Sequence, residues 1–535
     1  MCAPKKAGES LMSVRSSLSL FVLAALLAAC SSKSPEPSAA AAAPAAAAHA
    51  DGIAWHQGDV DSAFAAAKAS GKPVFLYWGA VWCPPCQQVK ATIFAKREFI
   101  ERTRQLVPVY LDGDEPAAQL AAERFGVVGY PTMILLRPDG TEVTRLPGGT
   151  DVDLYTSVVD SALASLKPVK DLIDVANRDP AGLTENDWKL LAYYAWDVDF
   201  DRIAPAAEAP KIVAGLVQKC PKSFETDCVR LKLTLAALVA DEKDKPSVTI
   251  DRRDLLATLN AVLDRPELQK LNLDYLIYES PELVGAATVK GSAERAALVT
   301  RWQALLDALA NDESLARVDR MGMGYARVLL ARLDTPKGPL PADVLAIARD
   351  RAAWADRATT DPYERQAVIN RAAATLDEAG LETEANDLLT RELKVSKSPY
   401  YFMLDIADLA QRAGHKDVAL HWLERAYHES EGPATRFQWG TDYLLGLIEM
   451  APEDDQRIQT VGLAVIDELG KGKDNIHQRS SIRLGRLDKA LMDWNKGDNH
   501  RPVVRALRAR LQEICAPIGA GDSARKTCDD FLAKA

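Results

Sequence analysis

The segment Trp82-Cys83-Pro84-Pro85-Cys86 sets two thiols three positions apart, a spacing that places both sulfurs on one side of a helical turn. Two cysteines so placed can exchange with a disulfide. One thiolate attacks, and its neighbour then displaces the product and closes a disulfide behind it. The same spacing also serves as a static disulfide or as half of a metal site. Zinc would need two further ligands, and residues 51–167 offer only His56 and no other cysteine, which speaks against zinc. A soft metal on the two thiols stays an alternative.

Exchange chemistry needs the attacking sulfur at a helix N-terminus, where uncapped backbone N–H groups and the helix dipole stabilise a thiolate. The surrounding pattern supplies that setting. Val60–Ser70 has helical spacing and stops at Gly71, and Pro73–Trp78 is a short apolar run of strand type. The motif follows and opens a helix whose Val89, Ile93 and Phe94 share a buried face. Leu106–Asp112 is a second strand candidate and Ala117–Phe125 a further helix. Met133–Leu136 and Glu142–Leu146 flank a turn at Pro138-Asp139-Gly140 as a hairpin. Cys83 then stands at the N-cap as the nucleophile, and Cys86, one turn on and more buried, as the resolving thiol.

A Trp-Cys-Pro-Pro-Cys motif at a strand-to-helix junction, with Gly129-Tyr130-Pro131-Thr132 ahead of a hairpin, resembles the thioredoxin family over residues 51–167. The stretch from Tyr77 through Cys86 and the acidic loop after Asp112 are most similar to the C-terminal domain of the membrane electron carrier DsbD and to related envelope thioredoxins. The resemblance implies an α/β thioredoxin-like fold, a redox-active Cys83/Cys86 pair and a cis peptide before Pro131. It also implies a client groove walled by Trp82, Tyr130, Pro131 and Thr132, with no cofactor.

Two departures from the family pattern bear on the chemistry. The family carries a buried acid six positions before its first cysteine, to move the resolving proton; here that position is Tyr77, and Asp112, Asp114 or a water is left to serve. The Pro84-Pro85 pair also removes an N–H that would reach the Cys83 sulfur. A less stabilised thiolate lowers the potential, by about 30 mV for each 1.4 kcal/mol. The expectation is a reductant or isomerase acting on protein thiols and disulfides. A reductant in an oxidising compartment needs an electron source, for which a membrane donor of the DsbD type is the natural partner.

The N-terminus points to export. Lys5, Lys6 and Arg15 precede an apolar run, Leu18–Leu27, too short to cross a bilayer, and Leu27-Ala28-Ala29-Cys30 resembles the lipobox of bacterial lipoproteins. Residues 1–30 are expected as a lipoprotein signal, with lipid on Cys30 holding a periplasmic protein to the envelope; Ser31 favours the outer membrane in that resemblance. Met12 is an alternative start, and an ordinary cleaved signal is the plainer reading. Residues 31–50, nearly all Ala, Pro and Ser, form a tether. In an exported chain Cys220 with Cys228, and Cys515 with Cys528, read as structural disulfides, although sequence alone leaves connectivity open and one pair exchanging electrons with the motif stays an alternative.

From residue 170 to 535 helical patterns follow one another without a strand-like run. Ala373, Gly380, Ala385 and Leu389 recur 34 residues on as Ala407, Gly414, Ala419 and Leu423, the period of the tetratricopeptide repeat, whose helix pairs cross at small residues. An all-α, tetratricopeptide-like domain is therefore expected, its tryptophans (Trp188, Trp302 and Trp439 among them) packing helices. The length of 535 residues calls for two or more packed units. A net charge of -10 without a basic stripe excludes nucleic acid as a partner. The competing reading is a helical-repeat scaffold or chaperone-like assembly factor that uses the redox domain only for binding.

Overall fold

The computed structural model describes residues 52–146, 152–196, 202–242, 246–472 and 474–533. The signal, lipidated Cys30 and tether expected at residues 1–50 lie outside them.

Asp59 opens α1 (Val60–Ser70) by accepting the N–H of Ser62 at 2.7 Å, and the chain then enters β1 (Val74–Gly79). All six residues of β1 are buried, because the strand is covered on both faces. Phe75 and Tyr77 point into one core with Phe94, Phe99 and Tyr155, whereas Val74, Leu76 and Trp78 point into another with Phe64 and Phe125. After the motif come α2 (Pro84–Val89), a π-helical turn at Lys90–Phe94, and α3 (Arg97–Thr103). Sequence pattern anticipated neither the turn nor α3. The extra residue per turn lets Ile93 and Phe94 be buried side by side, both fully.

The sheet is completed by β2 (Val107–Asp112), β3 (Thr132–Leu136) and β4 (Glu142–Leu146), with α4 (Pro116–Arg124) between β2 and β3. The strand order is β2-β1-β3-β4; β1 and β2 are parallel and the other pairs antiparallel. The central strand β1 therefore delivers the motif to one end of the sheet, and the parallel pairing of Gly79 with Asp112 brings the acidic loop to the same end. This is a thioredoxin-like α/β sheet.

Beyond α5 (Val152–Ser165) the described residues contain helices only, twenty α-helices between Val169 and Asp530. The 34-residue period is physical. Helices Pro362–Glu378 and Pro399–Arg412 close with equivalent glycines, Gly380 and Gly414, at φ of +78° and +82°. The bonds Leu381 N–H to Leu376 O and His415 N–H to Ala410 O, both 2.9 Å, repeat in register. Ala385 and Ala419, buried completely, sit where paired helices cross.

The chain from Asp51 to Ala535 forms one compact unit. One core runs without a break from the sheet residues Phe75, Tyr77 and Met133 through Tyr155 to Trp188, Leu191 and Leu235. Phe94, Phe99 and Tyr155, which cover this face of the sheet, share that core with Trp188, Leu191 and Leu235 of the helices that follow.

Candidate active site

Cys83 is the N-cap of α2, with extended backbone (φ -78°, ψ 115°), and its Sγ accepts the N–H of Cys86 at 3.3 Å. Pro84 and Pro85 occupy the first helical positions and carry no N–H, so Cys86 supplies the first donor of the helix. On its other side Cys83 Sγ lies 3.8 Å from the carbonyl oxygen of Tyr130, and the Tyr130–Pro131 peptide is cis. Thr132, whose hydroxyl donates to Gly129 O at 2.9 Å, starts β3 against Trp78. The motif, the cis peptide and the start of β3 thus meet at one end of the sheet. Both sulfurs stand as thiols and both are buried, Cys83 at 3% exposure and Cys86 at 0%.

That burial comes from the helical region, which sequence reasoning did not place here. Trp82 is 8% exposed. Its ring stacks on Tyr401 (6.0 Å, 20°) and meets Trp439 edge-on (4.9 Å, 70°), with the Arg479 guanidinium over its face at 4.7 Å. The indole N–H donates to Thr435 Oγ1 at 2.9 Å and to Asp114 Oδ2 at 3.3 Å, and the Trp82 carbonyl accepts from Gln366 Nε2 at 2.9 Å. Around Cys83 and Cys86, Tyr400, Met403, Ala426 and Trp439 complete a small apolar cluster. Trp82, expected with Tyr130 to wall the client groove, is covered by the chain's own helices, and half-buried Tyr130 has the Arg479 guanidinium 5.5 Å from its ring centre. Nothing local in the sequence marks Gln366, Tyr401, Thr435 or Arg479 for this role, and Trp439, legible only as a packing residue, packs on Trp82.

The acidic loop carries two different carboxyls. Asp114 is 8% exposed, and burial raises its pKa despite the opposing influence of Arg479 and of hydrogen bonds from Thr435 and Trp82. Asp112, at the end of β2, is pushed up to about 6 by burial first and by the neighbouring Asp114 charge second. Tyr77, standing where the family has an acid, is buried completely, and burial followed by the proximity of Cys86 holds its phenol well above the ordinary range.

The other expected residues lie elsewhere. Cys220 is bonded to Cys228 and Cys515 to Cys528, each pair among helices and neither in the cluster around Cys83. His56, the imidazole that a metal reading would recruit, bonds Ser62 Oγ at 2.9 Å on α1.

Comparison with known proteins matches the same stretch. The model of the "Thioredoxin-like domain" family covers residues 60–163. Over 108 residues the chain is 32% identical to Thioredoxin H-type of Oryza sativa subsp. indica, covering 20% of this chain and 84% of that one. Over 88 residues it is 36% identical to the thioredoxin of Mycolicibacterium smegmatis, covering 16% and 76%. It is 33% identical over 97 residues to Thiol:disulfide interchange protein DsbD 2 of Pseudomonas aeruginosa, covering 17% of this chain but only 16% of that protein's length. Through the fold of its sheet, its Cys83-Pro84-Pro85-Cys86 motif and these relatives, the chain belongs to the thioredoxin family.

Proposed function

We propose that this protein is a thiol:disulfide oxidoreductase of the cell envelope, a reductant or isomerase for protein clients, with Cys83 as nucleophile and Cys86 as resolving thiol. The observation that carries the reading is Cys83 Sγ at the N-cap of α2, taking the Cys86 N–H at 3.3 Å and facing the carbonyl of the cis Tyr130–Pro131 unit. In the forward cycle the Cys83 thiolate attacks a client disulfide. One client sulfur leaves as thiolate and a Cys83–client disulfide forms. Cys86 then attacks Cys83, the bond to the client breaks, and the client departs reduced by two electrons while the pair becomes a disulfide. The electrons return from a membrane donor of the DsbD type. Similarity to proteins named for thiol:disulfide interchange supports this partner, and the Leu27-Ala28-Ala29-Cys30 segment supports a lipid anchor on the periplasmic face of an envelope membrane.

A client disulfide must line up with the attacking sulfur, and at 3% exposure Cys83 offers no such approach. The reading therefore includes an opening step, in which the helices bearing Tyr401, Thr435, Trp439 and Arg479 part from Trp82. The same burial favours a second reading, a helical scaffold whose redox domain is locked in place as a structural unit.

Equilibrating the chain with dithiothreitol or glutathione and reading the Cys83/Cys86 state by mass spectrometry separates the two. A reversible couple near that of thioredoxin, roughly -270 mV, is expected. A pair that never exchanges in the folded chain rejects the oxidoreductase reading and leaves the scaffold.

A further inference from the structure

Tyr77 occupies the middle of β1, with no exposed surface. Its ring meets Phe94 edge-on at 4.7 Å, stacks on Tyr110 at 5.4 Å and lies 6.0 Å from Trp55. Phenylalanine would satisfy every one of those contacts. The hydroxyl makes no hydrogen bond of ordinary geometry among the described residues, yet Cys86 is near enough to act on it as a hydrogen-bond partner.

The hydroxyl has a direction. Gly79 is two positions further along β1, hence on the same face, and a Cβ there would collide with the Tyr77 hydroxyl oxygen. The oxygen is thus held at the end of the strand from which the chain turns into Trp82 and Cys83. After burial, the strongest influence on this phenol is Cys86, ahead of Tyr110 and Cys83. A phenol held well above its ordinary range stays protonated, so it can give a hydrogen bond and cannot act as a base. Cys86, for its part, is fully buried, out of reach of water that would otherwise solvate a charged sulfur.

We propose that Tyr77 is a positioning residue for the redox pair, its hydroxyl donating to the Cys86 sulfur when that sulfur is a thiol or thiolate. The proposal rests on the reading of Cys83 and Cys86 as an exchanging pair. During resolution the charge begins on Cys86 and ends on the departing client sulfur, as the Cys83–client bond breaks and the Cys83–Cys86 bond forms. A disulfide sulfur is a poorer acceptor than a thiolate, so the hydroxyl stabilises the reduced pair over the oxidised one. The departure from a buried acid to a phenol then has a chemical meaning: this position no longer removes a proton but holds the sulfur that has lost one.

The test compares the full chain with its Tyr77→Phe variant in dithiothreitol or glutathione buffers of graded ratio, followed by acid quench, alkylation and mass spectrometry. Without its donor the reduced pair is less favoured. The variant is therefore expected to hold more disulfide at every ratio, by about tenfold in the equilibrium constant, equivalent to about 30 mV toward more negative potential. A constant within twofold of wild type, or a shift the other way, overturns the role of Tyr77 while a reversible wild-type couple keeps the oxidoreductase reading intact. A wild-type pair that does not exchange overturns both. A second measurement needs no variant: in tyrosine-labelled wild-type chain the Tyr77 Cζ resonance is expected to move between the dithiol and disulfide states, and a resonance indifferent to redox state rejects the proposal.

Discussion

Asp114 caps a helix to which it does not belong. Thr435, at the third position of helix Pro433–Met450, donates its N–H to Asp114 Oδ1 at 2.8 Å across 321 residues of sequence, and its hydroxyl bonds the same oxygen. The helix's own N-cap is Gly432, which has no side chain to offer. A carboxylate from the redox loop fills that place at the positive end of the dipole. Gly432 makes the approach feasible: it sits at φ +84°, and a Cβ on it would come within 2.7 Å of Asp114 Cγ.

Asp114→Ala removes that cap and one acceptor of the Trp82 indole. Caps are worth about 1–2 kcal/mol, and 1–2 kcal/mol is a factor of roughly 5–30 in an opening equilibrium. Alkylation of Cys83 by iodoacetamide should accelerate by about tenfold in the variant, followed by peptide mass spectrometry. Gly432→Ala should act in the same direction, because it strains the backbone and displaces the same carboxylate. The two together should accelerate less than the product of their separate effects, since they break one contact. Unchanged alkylation in both variants would mean that the helices do not open at this seam.

The two disulfides close loops with separations of 8 and 13 residues. Loop-closure entropy gives about 2–3 kcal/mol for each. Cys220→Ser/Cys228→Ser and Cys515→Ser/Cys528→Ser should each lower the unfolding free energy from urea titration by that much and leave the Cys83/Cys86 equilibrium with dithiothreitol where it was. A change in that equilibrium in either double variant identifies the affected pair as an electron partner of the motif.

Asp227 is 1% exposed, its Oδ1 lacks a hydrogen-bond partner, and burial pushes its pKa up to about 7, with Lys189 opposing and Glu185 assisting. Between the ordinary value of 3.8 and about 7 the folded chain therefore holds a proton that the unfolded chain has released. Stability falls as pH rises through that window. Asp227→Asn, which has no proton to lose, should match wild type near the acid end and exceed it above neutrality. Parallel thermal-midpoint curves for the two chains across the window would show that this carboxyl does not titrate there.

The sequence disclosed what local pattern can encode. The bounds of α1 and β4 follow from spacing and turn residues, and the strand into Gly79 and the helix opened by Cys83 follow from an apolar run that meets a Pro-Pro pair. The unbroken apolar run of β1 fits a strand buried on both faces. The 34-residue spacing of Gly380 and Gly414 marks two equivalent helix ends. What stayed hidden has a common cause. The bonds from Gln366, Thr435 and Arg479 to Trp82, Asp114 and Gln119 join residues 284 to 360 positions apart, and no window of sequence contains both partners. The π-turn at Lys90–Phe94 was hidden for a different reason: the shift in period lasts only five residues, too few to register against the flanking helix. The exchange of an acid for Tyr77 was visible at once, but not that its hydroxyl would be fully buried against Gly79 at the end of β1.

The cover over Cys83 also has a place in time. Thr435 lies 353 residues after its partner Trp82. At synthesis rates of about 5–20 residues per second, on the order of 20–70 s separate the two. Throughout that interval the helices that will shield the dithiol do not yet exist, so a sheet that folded as it emerged would leave Cys83 uncovered. The dithiol is the early part of this site and its cover the late part, and a chain cut short before Thr435 would keep the first without that bond to Trp82.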